Sequence, residues 1–245
     1  MQSVSANLYN ELEKLLVKRV TKLFLFLAIV LPVVIKLLVD TMLLTDWMAL
    51  PSLNVNYMIL DLLVKLILPL FCFMAAAELF TGEGERGTLL LVRPINRMEQ
   101  FLSKTAAIGV FIIIQLVLSW LSVTISSVVV DNSFQYGDIG LGFVAFLVSW
   151  LPLFVLTAFA VLFALLVRSS TIAMSGLILI YVGMLVLPYL FPNLLYLFPA
   201  SYLDWYMQWI GDISIRWAMQ TFIYLFSATV LFLASAYYMF NKKEA

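Results

Sequence analysis

Residues 82–87 read GEGERG and carry the spacing G-x-G-x-x-G, which can bring backbone N–H groups against a pyrophosphate. That chemistry does not follow here. The pattern comes after a long apolar run instead of a strand, and Glu83 and Glu85 would repel the phosphates. No stretch fits G-x-x-x-x-G-K-[ST], so the sequence shows no ATPase of its own. Histidine is absent, which removes the commonest general base and metal ligand. Cys72 is the one cysteine, too few for an internal disulfide or a cysteine-held metal cluster. No nucleophile or paired-carboxylate constellation stands out, so an intramembrane enzyme is not expected.

Four ionisable residues stand where charge is costly. Lys36 and Lys65 fall inside long apolar runs, each with an acid four residues away, Asp40 and Asp61. That spacing permits a pair on one helix. Counted along the runs, both lysines lie roughly 20 Å from the same boundary, so they are expected to share a depth. They read either as side chains snorkelling outward with a local partner, or as the lining of a polar vestibule.

The elements that position these groups follow from composition. Of 245 residues, 64% are hydrophobic and 11% charged, against roughly 25% charged in soluble domains. A mean hydropathy of +1.07 is that of an integral membrane protein. Six apolar runs of about helix-spanning length cover residues 23–44, 58–80, 105–130, 141–167, 171–190 and 217–240. Their continuity predicts transmembrane helices, not the alternating strands of a barrel. Residues 7–22 form an amphipathic helix that either orients the chain or moves as an elbow with the bundle. The polar start before the first apolar run argues against a cleaved signal peptide. Residues 188–216 hold three prolines and many aromatics, too apolar for a loop in water and too broken for a span. They read as a shallow re-entrant or interfacial pair of short helices, serving either as an aromatic anchor or as a lid. Ala160, Ala164, Ser175, Gly176 and Gly183 are small enough for close helix packing. The expected architecture is a single all-α transmembrane domain.

Charge sets the orientation. Eleven Lys and Arg fall on one side, at 14, 18, 19, 22, 86, 93, 97, 104, 168, 242 and 243, and only Arg216 on the other. That asymmetry places both termini and the loop 82–104 in the cytoplasm. The loop reads GEGERGTLLLVRPINRMEQFLSK. Gly87 lets the chain turn as it leaves the bilayer, Pro94 ends the apolar run, and Asn96 can cap a short surface helix from Arg97 to Lys104. Glu78, one turn before this loop, can pair with Arg86 or with the amphipathic helix.

The order of these residues resembles the cytoplasmic loop of permeases of the ABC type-2 exporter family. The family pattern of an acid, Gly-Thr, leucines, Pro, a small polar residue, Arg and Lys is matched here. The matching residues are Glu85, Arg86-Gly87-Thr88, Leu89–Leu91, Pro94, Asn96, Arg97 and Lys104, and Glu83 is counted with them as a candidate coupling residue. One departure is Asn96 where serine is frequent. The resemblance implies that 82–104 is a coupling helix received by a separate ABC ATPase subunit, which holds ATP and Mg, while this chain binds no cofactor. It also implies a second permease copy, identical or related, a multi-pass place in a bacterial cytoplasmic membrane, contact with lipid and none with nucleic acid. Without a large outer domain the cargo is expected to be hydrophobic or amphipathic: an antimicrobial or toxin peptide, or a lipophilic antibiotic. A channel or carrier that needs no ATPase is the alternative.

Overall fold

The structure, a computed structural model, describes residues 2–44, 55–81, 96–130, 137–194, 196–210 and 214–243. Among these residues there is no strand. The helices are α1 (Gln2–Val17), α2 (Arg19–Leu44), α3 (Val55–Leu62), α4 (Leu68–Thr81), α5 (Arg97–Val130), α6 (Gly137–Val148), α7 (Trp150–Leu166), α8 (Ser170–Leu190) and α9 (Ile215–Lys243). A π-helical turn, Leu63–Ile67, fuses α3 to α4, and 3-10 helices at Pro192–Leu194 and Pro199–Trp209 follow α8. Among the described residues six stretches are long and apolar enough to cross a bilayer: Arg19–Val39, Val55–Thr81, Arg97–Val129, Ile139–Leu166, Ser170–Leu190 and Ile215–Lys242.

Prolines explain the irregular turns. Pro69 cannot donate to the carbonyl of Lys65, four residues earlier, and its ring crowds that oxygen. The chain widens into the π-turn just before it, where Leu68 N–H reaches back to Leu63. Pro152 likewise leaves Val148 without its helical donor, and the fourth span breaks at Ser149 between α6 and α7. The Ser149 hydroxyl bonds back to Ala145 O at 2.8 Å across that break.

α4 forms the centre. It is apolar on nearly all sides, and all but Leu70 and Glu78 of its residues are buried. Ala75, Ala76 and Ala77 on α4 and Ala158, Ala160 and Ala164 on α7 are all buried, and the two helices pack on each other. The spans of α2, α8 and α9 form the periphery, with only 22%, 22% and 17% of their apolar windows buried, against 61% for the span containing α4.

Two expectations change. Residues 97–104 are not a separate helix lying along the membrane. They are the first turns of the unbroken 34-residue α5, because no glycine or proline interrupts the chain between Arg97 and Thr105. The amphipathic helix runs Gln2–Val17 instead of 7–22, and the chain bends at Lys18 before α2 begins. The small residues also divide. Ala160 and Ala164 are fully buried, and a Cβ on Gly176 would stand 2.9 Å from the Phe163 ring. Ser175 is exposed, and nothing lies within 4 Å of a Cβ on Gly183.

Candidate functional site

The end of α4 and the start of α5 flank residues 82–95, so most of the loop singled out in the sequence, with Glu83, Glu85, Arg86, Gly87, Thr88 and Pro94, lies outside the described residues. Its two feet are described, and they are fixed to each other. Asn96 caps α5: its Oδ1 accepts from Met98 N–H at 3.4 Å, and its carbonyl accepts from Gln100 N–H at 3.1 Å. Arg97 is exposed, and its Nη1 donates to the carbonyl of Asn241 near the end of α9 at 3.2 Å.

Lys104 is not on the surface. Its side chain is fully buried, and Nζ donates to the Leu79 carbonyl in the last turn of α4 at 3.3 Å. The same Nζ lies 5.6 Å from the ring centre of Phe80 and 5.8 Å from that of Phe240. A cation suits both settings, because a helix C-terminus and an aromatic face each carry partial negative charge. Phe80, Phe101, Tyr237 and Phe240 pack around it, with neighbouring ring centres 5.6 to 6.3 Å apart. The expectation that Lys104 is displayed for docking is therefore corrected: it lies inside, joining α4, α5 and α9. The part played by the end of α9 escaped the sequence reading, since nothing in local spacing links Phe240 to Phe80.

Glu78 is tied by the amphipathic arm. Lys18, at the bend between α1 and α2, forms an ion pair with it. α1 itself lies on α5, with Leu15 fully buried.

A second cluster lies at the opposite, acid-rich end. Lys65 Nζ stands 2.8 Å from Asp61 Oδ1, as the four-residue spacing predicts, and 2.7 Å from Asp204 Oδ1 on the 3-10 helix Pro199–Trp209. The Tyr206 hydroxyl, on the same short helix, donates to Asp61 at 3.2 Å. The Tyr181 hydroxyl on α8 donates to the Lys65 carbonyl at 2.6 Å, the oxygen that Pro69 leaves without a helical partner. Asp204 and Tyr206 were missed as site residues. Pro69, four residues after a lysine inside a span, was the available signal.

Lys36 belongs to a different group. Its Nζ donates to Asn56 Oδ1 at 3.2 Å, and Ser127 Oγ donates to the same oxygen at 2.9 Å. Asn56 precedes Lys65 by nine residues on the same span, about 13 Å of helix. The two lysines thus stand at two levels instead of one, and the side chain of Asp40 is outside the described residues. Farther along α5, Gln115 and Ser119 are buried, and neither side chain has a hydrogen-bond partner among the described residues. They form a polar stripe that hydropathy alone concealed.

Burial pushes the Asp204 carboxyl above the usual carboxylate range; Lys65 pulls it down and Asp61 pushes it up, with burial the largest influence. Burial also raises the Tyr206 hydroxyl, which therefore stays protonated and able to donate to Asp61. A raised carboxyl stabilises the fold through its protonated form. That contribution is complete below the ordinary aspartate range and is lost as pH rises through the raised value. Asp61→Asn is expected to lower the Asp204 pKa and Lys65→Met to raise it. Infrared titration of the carboxyl stretch, with Asp204→Asn as the assignment control, checks both signs.

A family model described as "ABC-2 family transporter protein" matches residues 4–245. No curated protein matches the chain.

Proposed function

The chain belongs to the ABC-2 transporter family, and from that premise we propose that it is the permease subunit of an ATP-driven exporter whose ATPase is a separate protein received at the loop of residues 82–97. The multi-pass, all-α fold is that of a membrane transport component. The observation that carries the reading is the junction at Lys104. Close to both feet of the loop, Leu79 and Phe80 of α4 and Arg97 and Lys104 of α5 meet Phe240 and Asn241 of α9 or one another. A load placed on the loop is therefore handed to three spans together.

In this reading the basic end faces the cytoplasm, following the charge asymmetry, and the membrane is the bacterial cytoplasmic membrane. Glu83, Glu85, Arg86, Gly87, Thr88 and Pro94 form the docking segment, and Asn96 and Arg97 set where it joins α5. Two permease copies, identical or related, enclose the path. The lightly buried faces of α2, α8 and α9 are the surfaces left for the second copy and for lipid. Nucleotide and Mg stay in the ATPase, and its closure shifts the two-state equilibrium of the permease. The cargo is hydrophobic or amphipathic, an antimicrobial or toxin peptide or a lipophilic antibiotic, met at the acid-rich end by Asp61 and Lys65 and, at their separate level, by Lys36 and Asp40.

A P-loop ATPase should co-purify with the full chain and take up an azido-ATP label. Arg97→Glu is expected to reduce the recovered ATPase about tenfold, the loss of one charge-assisted contact at an interface, while the permease stays monodisperse. Undiminished co-purification together with ATP-coupled transport in that variant sinks the docking assignment.

A further inference from the structure

The segment Pro199–Trp209 is packed like interior structure. Leu203 and Tyr206 are fully buried and Trp205 nearly so, yet Asp204 between them turns its carboxylate to Lys65. Lys65 lies ten residues beyond Val55 along its span, about 15 Å from that end of the helix. The short helix packs on α6, α7, α8 and α9, and through Asp204 it also reaches down to span two. Three further contacts fix the meeting point. Asp61 holds Lys65 from its own helix, Tyr206 holds Asp61 from the short helix, and Tyr181 holds the Lys65 carbonyl from α8. The π-turn supplies the geometry, since Pro69 removes one helical bond and frees the carbonyl that Tyr181 takes.

We propose that Asp61, Lys65 and Asp204 form an ion-triad latch that ties Pro199–Trp209 to span two, and that release of the latch loosens this segment, a lid over the acid-rich end, on its seat of α6, α7, α8 and α9. The side chains of the three residues are 31% to 45% exposed, so water reaches part of each, although the Asp204 Oδ1 that faces Lys65 is itself buried. Lys65 is the pivot because it joins two carboxylates carried on different elements. What the lid guards rests on the exporter reading. That the triad restrains the segment does not, and its test needs neither ATPase nor cargo.

The test is hydrogen–deuterium exchange of the full chain in lipid nanodiscs. Lys65→Met is expected to speed amide exchange across 199–209 about tenfold while α7 is unchanged. Asp204→Ala, which removes the carboxyl in either protonation state, should do the same and serves if Lys65→Met fails to fold. The double exchange Lys65→Asp with Asp204→Lys keeps the same charges in swapped places and should return exchange to within about threefold of the original. Unaltered exchange of 199–209 in the folded single variants overturns the latch. So does acceleration spread equally over α7, or failure of the charge swap to recover protection.

Discussion

Replacing Lys104 by glutamate is expected to abolish recovery of folded protein, or to lower its stability by about 3–5 kcal/mol, the cost of an uncompensated buried charge. The carboxylate would face the Leu79 carbonyl and the rings of Phe80 and Phe240, which now meet an ammonium. Each of these contacts changes from attraction to repulsion. Lys104→Met is the informative partner. It keeps the buried stem and loses the hydrogen bond to Leu79, so it should cost about 1–3 kcal/mol. Thermal unfolding in detergent, followed by size-exclusion chromatography and tryptophan fluorescence, separates the two. Equal tolerance of both variants would show that the stem alone holds the junction and that its charge is incidental.

The second large effect is expected at Gly109, in the middle of α5. A Cβ there would approach the Phe154 ring to 2.9 Å and lie 3.7 Å from Trp150, and Trp150 Nε1 donates to the Gly109 carbonyl at 3.0 Å. Phe154 and Trp150 are stacked on each other, with ring centres 4.9 Å apart. A side chain at 109 must move the pair as a unit, pulling the indole from its acceptor. Gly109→Leu should cost about 2–3 kcal/mol by overpacking, whereas Gly183→Leu, with nothing within 4 Å, should remain near zero. Denaturation midpoints of the two variants give the comparison directly. A Gly109→Leu protein as stable as Gly183→Leu would mean that the α5–α7 contact yields without strain.

These residues also show where sequence reasoning reached and where it stopped. The six spans were readable because continuous apolar length is a local property. The Asn96 cap and the Asp61–Lys65 pair were readable because each is set by spacing along one helix. Lys104 was misplaced because hydropathy treats a charged residue near a span boundary as surface. Its burial depends on Phe240, 136 positions away in sequence. Asp204 was missed for the same reason: its partner lies on a span that precedes it by 139 positions. Gly109 and Gly183 look alike in the sequence, and only the position of Phe154 separates them.

The prolines divide the spans into two mechanical kinds. α2 carries Pro32, the second span Pro69, α7 Pro152 and α8 Pro188, whereas α5 and α9 have none. Both proline-free helices meet the last turn of α4 at the basic end, and they touch each other through Arg97 and Asn241 and through the rings around Lys104. An α-helix of 34 residues is about 51 Å long. Tilted by about 5° around its middle, such a rod moves each tip by about 2 Å in opposite directions. α5 and α9 thus behave as a braced pair of struts, stiff along their length, while the proline-bearing spans supply the compliance. On the proposed exporter reading, a push at the loop passes along α5 without being spent in bending.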